Sequence, residues 1–394
     1  MSEFKSAGFS GEFGGGSEIV GVTTMVSPNY FVPPSGTTAE RPSNPLPGML
    51  RFNTDIGRLE IWRGDHWATI EGESVEMIGN HMTGSGESRS GTGVRGVFIG
   101  NRNTPTTPSS PKSEYITIAT LGDAVTFGGL TQQVAMPGSF ASSTRGVFFG
   151  GYNHPVAGAR TASIRGFTFA STGSHVNFSS VISSITQQSK GMSNETRGIC
   201  QHGQQFGPAV IVDTMEYVTI ASIGDAVDFG NLTDASADGV TFGSSVRGIY
   251  AGGSLGGGGR NTIDYITIST QGNSTEFGDL TEVSQGGSSG GNATRGIRMG
   301  GLDPSAVNTI DFVQIASTGN AQDFGDMVHG VTRYGSQANI SSPIRSIHAG
   351  GFQTSNEDAI QYVTNSTTGN SVDFGNLTES KYQFSGSSNG HGGL

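Results

Sequence analysis

Asp264-Tyr-Ile-Thr-Ile-Ser-Thr-Gln-Gly-Asn-Ser-Thr-Glu-Phe-Gly-Asp-Leu-Thr281 is the stretch on which the fold turns. Its first half alternates large residues with small polar ones, the period-2 pattern of a strand with one buried face. Gly272-Asn273 then predicts a tight turn, because both types tolerate the positive φ that hairpin turns require. The second half rises to Phe277 and stops at Gly278. The stretch reads as a β-hairpin with an aromatic plug at its end.

The pattern is written six times. Glu114–Thr131 reads EYITIATLGDAVTFGGLT, Glu216–Thr233 EYVTIASIGDAVDFGNLT, Asp311–Val328 DFVQIASTGNAQDFGDMV and Gln361–Thr378 QYVTNSTTGNSVDFGNLT. Ile164–Ile182 is a degraded copy, IRGFTFASTGSHVNFSSVI. The plugs Phe127, Phe178, Phe229, Phe277, Phe324 and Phe374 are spaced 51, 51, 48, 47 and 50 residues apart. A second anchor precedes each hairpin: Arg95, Arg145, Arg197, Arg247, Arg295 and Arg345, spaced 50, 52, 50, 48 and 50 apart. An apolar strand surrounds it, usually ending in glycines, as in TRGVFFGG (Thr144–Gly151) and VRGIYAGG (Val246–Gly253).

A period near 50 with four strand-sized segments matches propeller blades of the kelch type, Phe standing where kelch repeats usually carry Trp. Segments such as Gly138–Ser143 supply the fourth strand. The first clear copy begins at Val94, mid-blade, and Glu379–Asn389 follows the last copy with no apolar strand after it. That segment therefore reads as the strand that closes the ring onto the blade of Arg95, with Ser85–Thr92 as its rival. Closure removes two open sheet edges. The expectation is an all-β fold, a six-bladed kelch-like β-propeller preceded by a small N-terminal β-meander; a solenoid is the alternative architecture.

Composition agrees with an all-β chain. Apolar residues are only 33% of the 394, but 64 glycines make small-residue cores and many turns feasible. A net charge of −11 without a basic stripe argues against nucleic acid as a partner. The single cysteine, Cys200, allows no internal disulfide. No apolar leader or bilayer-spanning run is visible, so no membrane insertion is expected.

In chain order, residues 1–40 read as an extended arm, 41–72 as the meander, 73–93 as a polar linker and 94–394 as the repeats. Met49–Thr54, Arg58–Arg63 and Trp67–Ile70 would be the meander strands. Leu50, Phe52, Leu59, Ile61, Trp67 and Ile70 would form its apolar face, with Trp62 opposite. Three short strands are marginal alone, so the module should pack on a partner chain or on a copy of itself.

RPSNPLPGMLRFNTDIGRLEIWRGDHWATIEG (Arg41–Gly72) resembles a segment of tailed-phage virion and tail-fibre proteins: Pro-Gly, a strand with Arg-Phe-Asn-Thr, a turn, Leu-Glu, and Trp before Ile. The Tyr-Ile-Thr-Ile…Asp-Phe-Gly-Asp-Leu-Thr…Thr-Arg-Gly repeats resemble those of virion structural proteins of marine tailed phages. The resemblance implies a place in a virion appendage, with the N-terminal module docked to other virion proteins.

Few residues suggest chemistry. Six Arg anchors could make a cationic ring, but recurrence in every copy suits a guanidinium joint to carbonyls of the neighbouring blade. Asp228, Asp323, Asp373 and Glu276 stand one per copy, not in the cluster that calcium needs, so no metal or cofactor is expected. Gly286-Gly-Ser-Ser-Gly290 matches the nucleophile-elbow pattern, yet it lies in a β-repeat and not at a strand-to-helix turn. Cys200 and His202 share a strand face by alternation and read as packing residues. No catalytic residue is assigned.

What varies are the loops after the glycine-ended strands, Asn101–Ser113, Tyr152–Ala162, Gln204–Thr214, Ser254–Ile263, Leu302–Thr309 and Phe352–Ala359. A rim of unlike loops on a constant scaffold is where binding is usually housed. Arg102, Tyr152, His154 and Arg260 are the candidate contacts. The functional expectation is a tail-fibre-like virion protein whose propeller binds a host-surface receptor or glycan. The alternatives are a purely structural decoration or adaptor of the virion, an intracellular kelch adaptor and, least of all, a carbohydrate-active enzyme.

Overall fold

The structure is a computed structural model of the 394-residue chain; it describes residues 33–55, 58–70, 94–101, 111–130, 133–153, 160–256, 258–302, 305–328, 339–352 and 355–394. The chain divides into two compact units, Met1–Glu73 and Ser74–Leu394. The predicted N-terminal arm up to residue 32, the linker 73–93 and the rival closing segment Ser85–Thr92 lie outside the described residues. Strands dominate both units, and the one helical element is a single 3-10 turn, Thr38–Glu40, among the described residues.

The first unit is a four-stranded sheet. Leu50–Asn53, Arg58–Trp62 and Trp67–Ile70 form the predicted antiparallel meander, and Ser35–Gly36 adds a short parallel strand upstream of it. One face carries Leu50, Phe52, Leu59, Ile61 and Ala68, matched across strands as Leu50↔Ile61, Phe52↔Leu59 and Ile61↔Ala68. Trp67 is directly opposite Trp62, so it belongs to the other face, a correction to the sequence reading. On that other face the best-buried residues are polar: Arg51, Asn53 and Glu60. Glu60 accepts from Arg41 Nε at 3.2 Å and from Asn53 Nδ2 at 2.9 Å. The Arg41 guanidinium holds the Glu60 carboxyl below its usual range. The apolar face, with Leu50 37% exposed, is only partly covered.

Among its described residues the second unit has six antiparallel sheets built around the six Arg strands, and two small sheets of two- and three-stranded loop segments. The first sheet runs Ser385–Ser388, Arg95–Ile99, Lys112–Thr117, Val125–Gly129. The second runs Gly138–Ala141, Arg145–Phe149, Ser163–Thr168, Val176–Val181, and the third Lys190–Ser193, Arg197–Gln201, Thr214–Thr219, Val227–Asn231. The fourth and fifth repeat that order from Val240–Gly243 and Ser288–Gly291. The sixth has Arg345–Phe352, Asn356–Thr364 and Val372–Asn376, with Ser341 bridged to Ser346 in place of a full first strand. Thus the C-terminal segment, and not a neighbour in sequence, pairs with the strand of Arg95: Ser385↔Ile99 through Ser388↔Gly96.

Each hairpin departs from simple alternation at its plug. In the fourth sheet Ile263 faces Gly278 while Asp264 faces Glu276, so Phe277 is the extra residue of a bulge. The same shift occurs at Phe127, Phe229, Phe324 and Phe374. The bulge turns the ring inward: Phe277 packs with Phe242, Ile249 and Ile263 of its own sheet and Val313 and Ile315 of the next. Equivalent apolar clusters fill the spaces between successive sheets, including one that joins Phe374 of the sixth sheet to Phe98 and Ile116 of the first.

Gly272-Asn273 is not the tight turn that its composition predicts. The chain turns at Thr267–Thr270, where Thr270 N–H donates to Thr267 O at 3.1 Å. Gly272 N–H instead donates to Phe229 O of the preceding sheet (2.8 Å), and Asn273 Oδ1 accepts from Asn231 N–H (3.0 Å). This seam recurs at Gly122, Gly173, Gly319 and Gly369 and covers the outer strand edge near the plug in every sheet but the second. It explains the glycine that follows five of the six plugs. A Cβ on Gly278 would lie 2.4 Å from Gly319 O, and its φ is +154°.

Candidate binding surface and inter-sheet joints

The six Arg anchors are used up in joints. Arg95 Nη1 donates to Phe169 O, Arg145 to Ile220 and Ala221 O, Arg197 to Ile268 O, Arg247 to Ile315 O, and Arg295 to Asn365 O, at 2.7–3.0 Å. Arg345 closes the series on Ile118 and Ala119 O of the first sheet, both at 2.8 Å. Each guanidinium also covers an aromatic ring of its own sheet, as Arg247 does Tyr265 at 4.7 Å. The geometry is that of a repeated carbonyl clamp, and the guanidinium charges do not converge on one ligand.

A second joint escaped the sequence reading. The residue before Tyr115, Gly166, Tyr217, Tyr265, Phe312 and Tyr362 is a buried polar group in every sheet: Glu114, Arg165, Glu216, Asp264, Asp311 and Gln361. Glu114 accepts from Thr378 N–H (2.9 Å), Glu216 from Ser183 N–H (3.0 Å), and Asp264 from Thr233 N–H (3.1 Å), in each case from the preceding sheet. Side chains of the same sheets complete several: Lys381 Nζ on Glu114 at 2.7 Å, His202 Nε2 on Glu216 at 2.9 Å, and Arg298 Nε on Asp311 at 2.9 Å. The signal was present in the repeats, where Glu or Asp recurs before Tyr or Phe within an apolar strand. The carboxylates just before the plugs, Asp228 and Glu276 among them, are exposed. Among the described residues no group of three His, Cys, Asp or Glu could hold a metal ion.

The nucleophile-like features are sealed. Ser288 Oγ does meet His348 Nδ1 at 2.6 Å, but both residues are 0% exposed and Ser288 lies on a strand. Burial lowers the His348 pKa to about 4. Cys200 is fully buried, and burial together with the nearby Glu216 pushes its thiol well above the usual range. His202 Nε2 is bonded to Glu216. A thiolate–imidazole pair has no basis in this geometry.

The variable-loop end of the sheets carries backbone strain. Met136, Gln188, Asp238 and Gln383 have φ of 53° to 58°, the left-handed region that non-glycine residues seldom occupy. They stand one per sheet, at the entry to the first strand of the second, third, fourth and first sheets. Their backbones are linked in series: Met136 N–H to Gln383 O, Gln188 to Met136, Asp238 to Gln188, and Gly286 to Asp238. Beside them Lys190 is 2% exposed, with Nζ 3.8 Å from Asp238 and without a hydrogen bond. Burial brings its pKa down to about 8.

Of the four candidate contacts, Arg102 and His154 lie outside the described residues. Tyr152 begins the short strand Tyr152–Asn153, paired with Val134–Ala135, and is half-buried under the Arg160 guanidinium at 5.4 Å. Arg160 is the better-placed cation. It lies 3.5 Å from the Phe206 ring of the third sheet's loop, and its Nε donates to Gln187 at 2.9 Å. Arg260 is not a loop residue; it opens the strand Arg260–Thr267 and is bonded to Asp234 Oδ2 at 2.5 Å and Ala235 O at 3.1 Å. The loops of the fifth and sixth sheets are shorter than their sequence suggests, because Leu302 pairs with Ala306 and Phe352 with Asn356. Comparison of the chain with models of known protein families and with curated proteins finds no match.

Proposed function

We propose that residues 94–394 are a six-bladed kelch-like β-propeller and that the protein is a tail-fibre-like structural protein of a tailed-phage virion, binding a host-surface receptor or glycan through its variable-loop rim. The observation that carries the propeller is the return of every joint to its start. The sixth Arg clamps the first sheet, Thr378 N–H bonds Glu114, and the C-terminal strand completes the sheet of Arg95. Binding is supported by the strained, serially bonded residues at one end of the sheets and by Arg160 held between two aromatic rings of unlike loops. The virion location rests on the resemblance of Arg41–Gly72 and of the repeats. The partly exposed apolar face of the N-terminal sheet suits docking to other virion proteins or to copies of the chain. The reading is non-enzymatic.

One observation favours a purely structural role: Arg160, in a rim loop, and Arg260, on the strand that follows another, already have partners within the chain. The two readings separate in a binding assay with susceptible cells or their surface polysaccharide. Under the receptor reading the full chain binds. Arg160→Ala combined with replacement of Ser254–Gly259 by a short Gly/Ser turn weakens binding about tenfold or more at an unchanged melting temperature. A full chain that enters particles yet shows no affinity for cell or polysaccharide replaces that reading with the scaffold.

A further inference from the structure

In five of the six sheets an aromatic ring lies under the anchor guanidinium: Tyr115, Tyr217, Tyr265, Phe312 and Tyr362, at 4.4 to 4.8 Å. Each meets the plug ring edge-on, with centroids 5.9 to 6.2 Å apart. The arrangement is a stack of cation, ring and ring edge. The second sheet has Gly166 at this position, so one ring of the stack is missing.

The surroundings compensate only in part. The hairpin bulge is one residue longer, with Ile164 facing Ser180 and Arg165 facing Asn177, and Arg145 lies over the plug Phe178 itself at 5.4 Å. A cavity of about 270 Å³ remains, open to solvent and lined by Phe127, Phe167, Phe178, Arg145, Ser171 and Ser174. Three phenylalanines and a guanidinium make an aromatic slot, and the two serines add hydroxyls to its lining. Apolar cavities of roughly 150 Å³ take up benzene-sized ligands, so the space suffices for one ring.

We propose that this cavity binds a single aromatic ring of the phenol class, taking the place that tyrosine or phenylalanine fills in the other five sheets. The ring would lie against the phenylalanine walls, with its oxygen within reach of guanidinium or serine donors. A sugar ring suits the slot less well, because its several hydroxyls would face three apolar walls. The site is at the hairpin-turn end of the second sheet, away from the variable loops, and does not depend on the receptor reading.

Saturation-transfer NMR of the full chain with p-cresol tests it. Transfer to the cresol ring is expected in the wild-type chain, with binding about tenfold weaker or lost in both Ser171→Trp and Ser174→Trp. Both serines are in an exposed turn, so melting curves should be unchanged. No transfer, or transfer unaltered in both tryptophan variants, overturns the proposal. So does methyl glucoside binding at these residues where p-cresol does not.

Discussion

The second and fourth sheets share one strand order, and of the many positions at which they differ, three reset the surroundings. The fourth has Asp264, Tyr265 and Gly278; the second has Arg165, Gly166 and Ser179 in their places. In the fourth sheet Asp264 is bonded to Thr233 of the preceding sheet, Tyr265 lies under Arg247, and Gly278 lets the next sheet's loop come within contact of its backbone. In the second, Arg165 is buried with Nε and Nη1 unbonded, over the Phe148 ring at 4.9 Å, and burial brings its pKa down to about 10. The plug Phe178 is half-buried, whereas Phe277 is 3% exposed. The next sheet's seam is displaced: Ala226 N–H donates to Val181 O, three residues past the plug, where Ser274 N–H donates to Asn231 O, two past it. The repeat thus tolerates loss of one sheet's internal pattern provided its Arg joint to the next sheet remains, and Arg145 does keep that joint.

The largest way to break this comparison is to remove what no single sheet can supply. Truncation after Thr378 deletes the strand Ser385–Ser388, the Phe384 ring and the Lys381 partner of buried Glu114. Loss of one partner of a buried ion pair alone costs about 3–5 kcal/mol, so the truncated chain should aggregate or lose its cooperative melt. An unchanged melting curve would show that the C-terminal strand is dispensable.

Next come the plugs themselves. Phe277→Ala should cost about 3–5 kcal/mol in chemical denaturation, as large-to-small core changes do. Phe178→Ala, at a half-buried ring beside an existing cavity, should cost less than half as much. Equal losses at the two sites would contradict the account of the second sheet as the loosened copy.

The smallest effect concerns pH and again singles out the second sheet. His175 stands there where the first, third and fifth sheets have Ala124, Ala226 and Ala321, and burial with Arg165 nearby lowers its pKa to about 4. His348 is lowered to the same value by burial. A histidine whose folded pKa lies below its unfolded 6.5 leaves the unfolded chain to take up the proton first. Their contribution is complete above pH 6.5 and falls as pH drops from there toward 4. His175→Ala should therefore flatten the decline in melting temperature between those values, and a slope equal to wild type would place the proton uptake elsewhere.

Much of the fold was legible as repetition. Six plugs and six arginines at near-constant spacing required six similar sheets, since burial and strand alternation act over a few residues and recur wherever the local pattern does. The phase of the repeat likewise pointed to the C-terminal segment as partner of the Arg95 strand, because the array lacked a first strand at its start and had one left over after its last copy. The meander was readable for the same local reason, except at Trp67, where the tight turn between Trp62 and Trp67 sets the register and therefore the face.

Tertiary structure alone decided what lies between the sheets. Alternation puts Glu114, Glu216, Asp264 and Asp311 on the face of the buried isoleucines and valines that follow them, but it names no partner for a carboxylate there; backbone N–H groups of the preceding sheet supply one at Glu114, Glu216 and Asp264. The Gly-Asn pair looked like a turn because its φ tolerance is a local property, while its use as a seam depends on a strand about 40 residues away. The pairing of Arg260 with Asp234 and of Arg160 with Phe206 belongs to the same class. A single chain's residue pattern encodes which face is buried; which neighbour buries it is set only when the sheets meet.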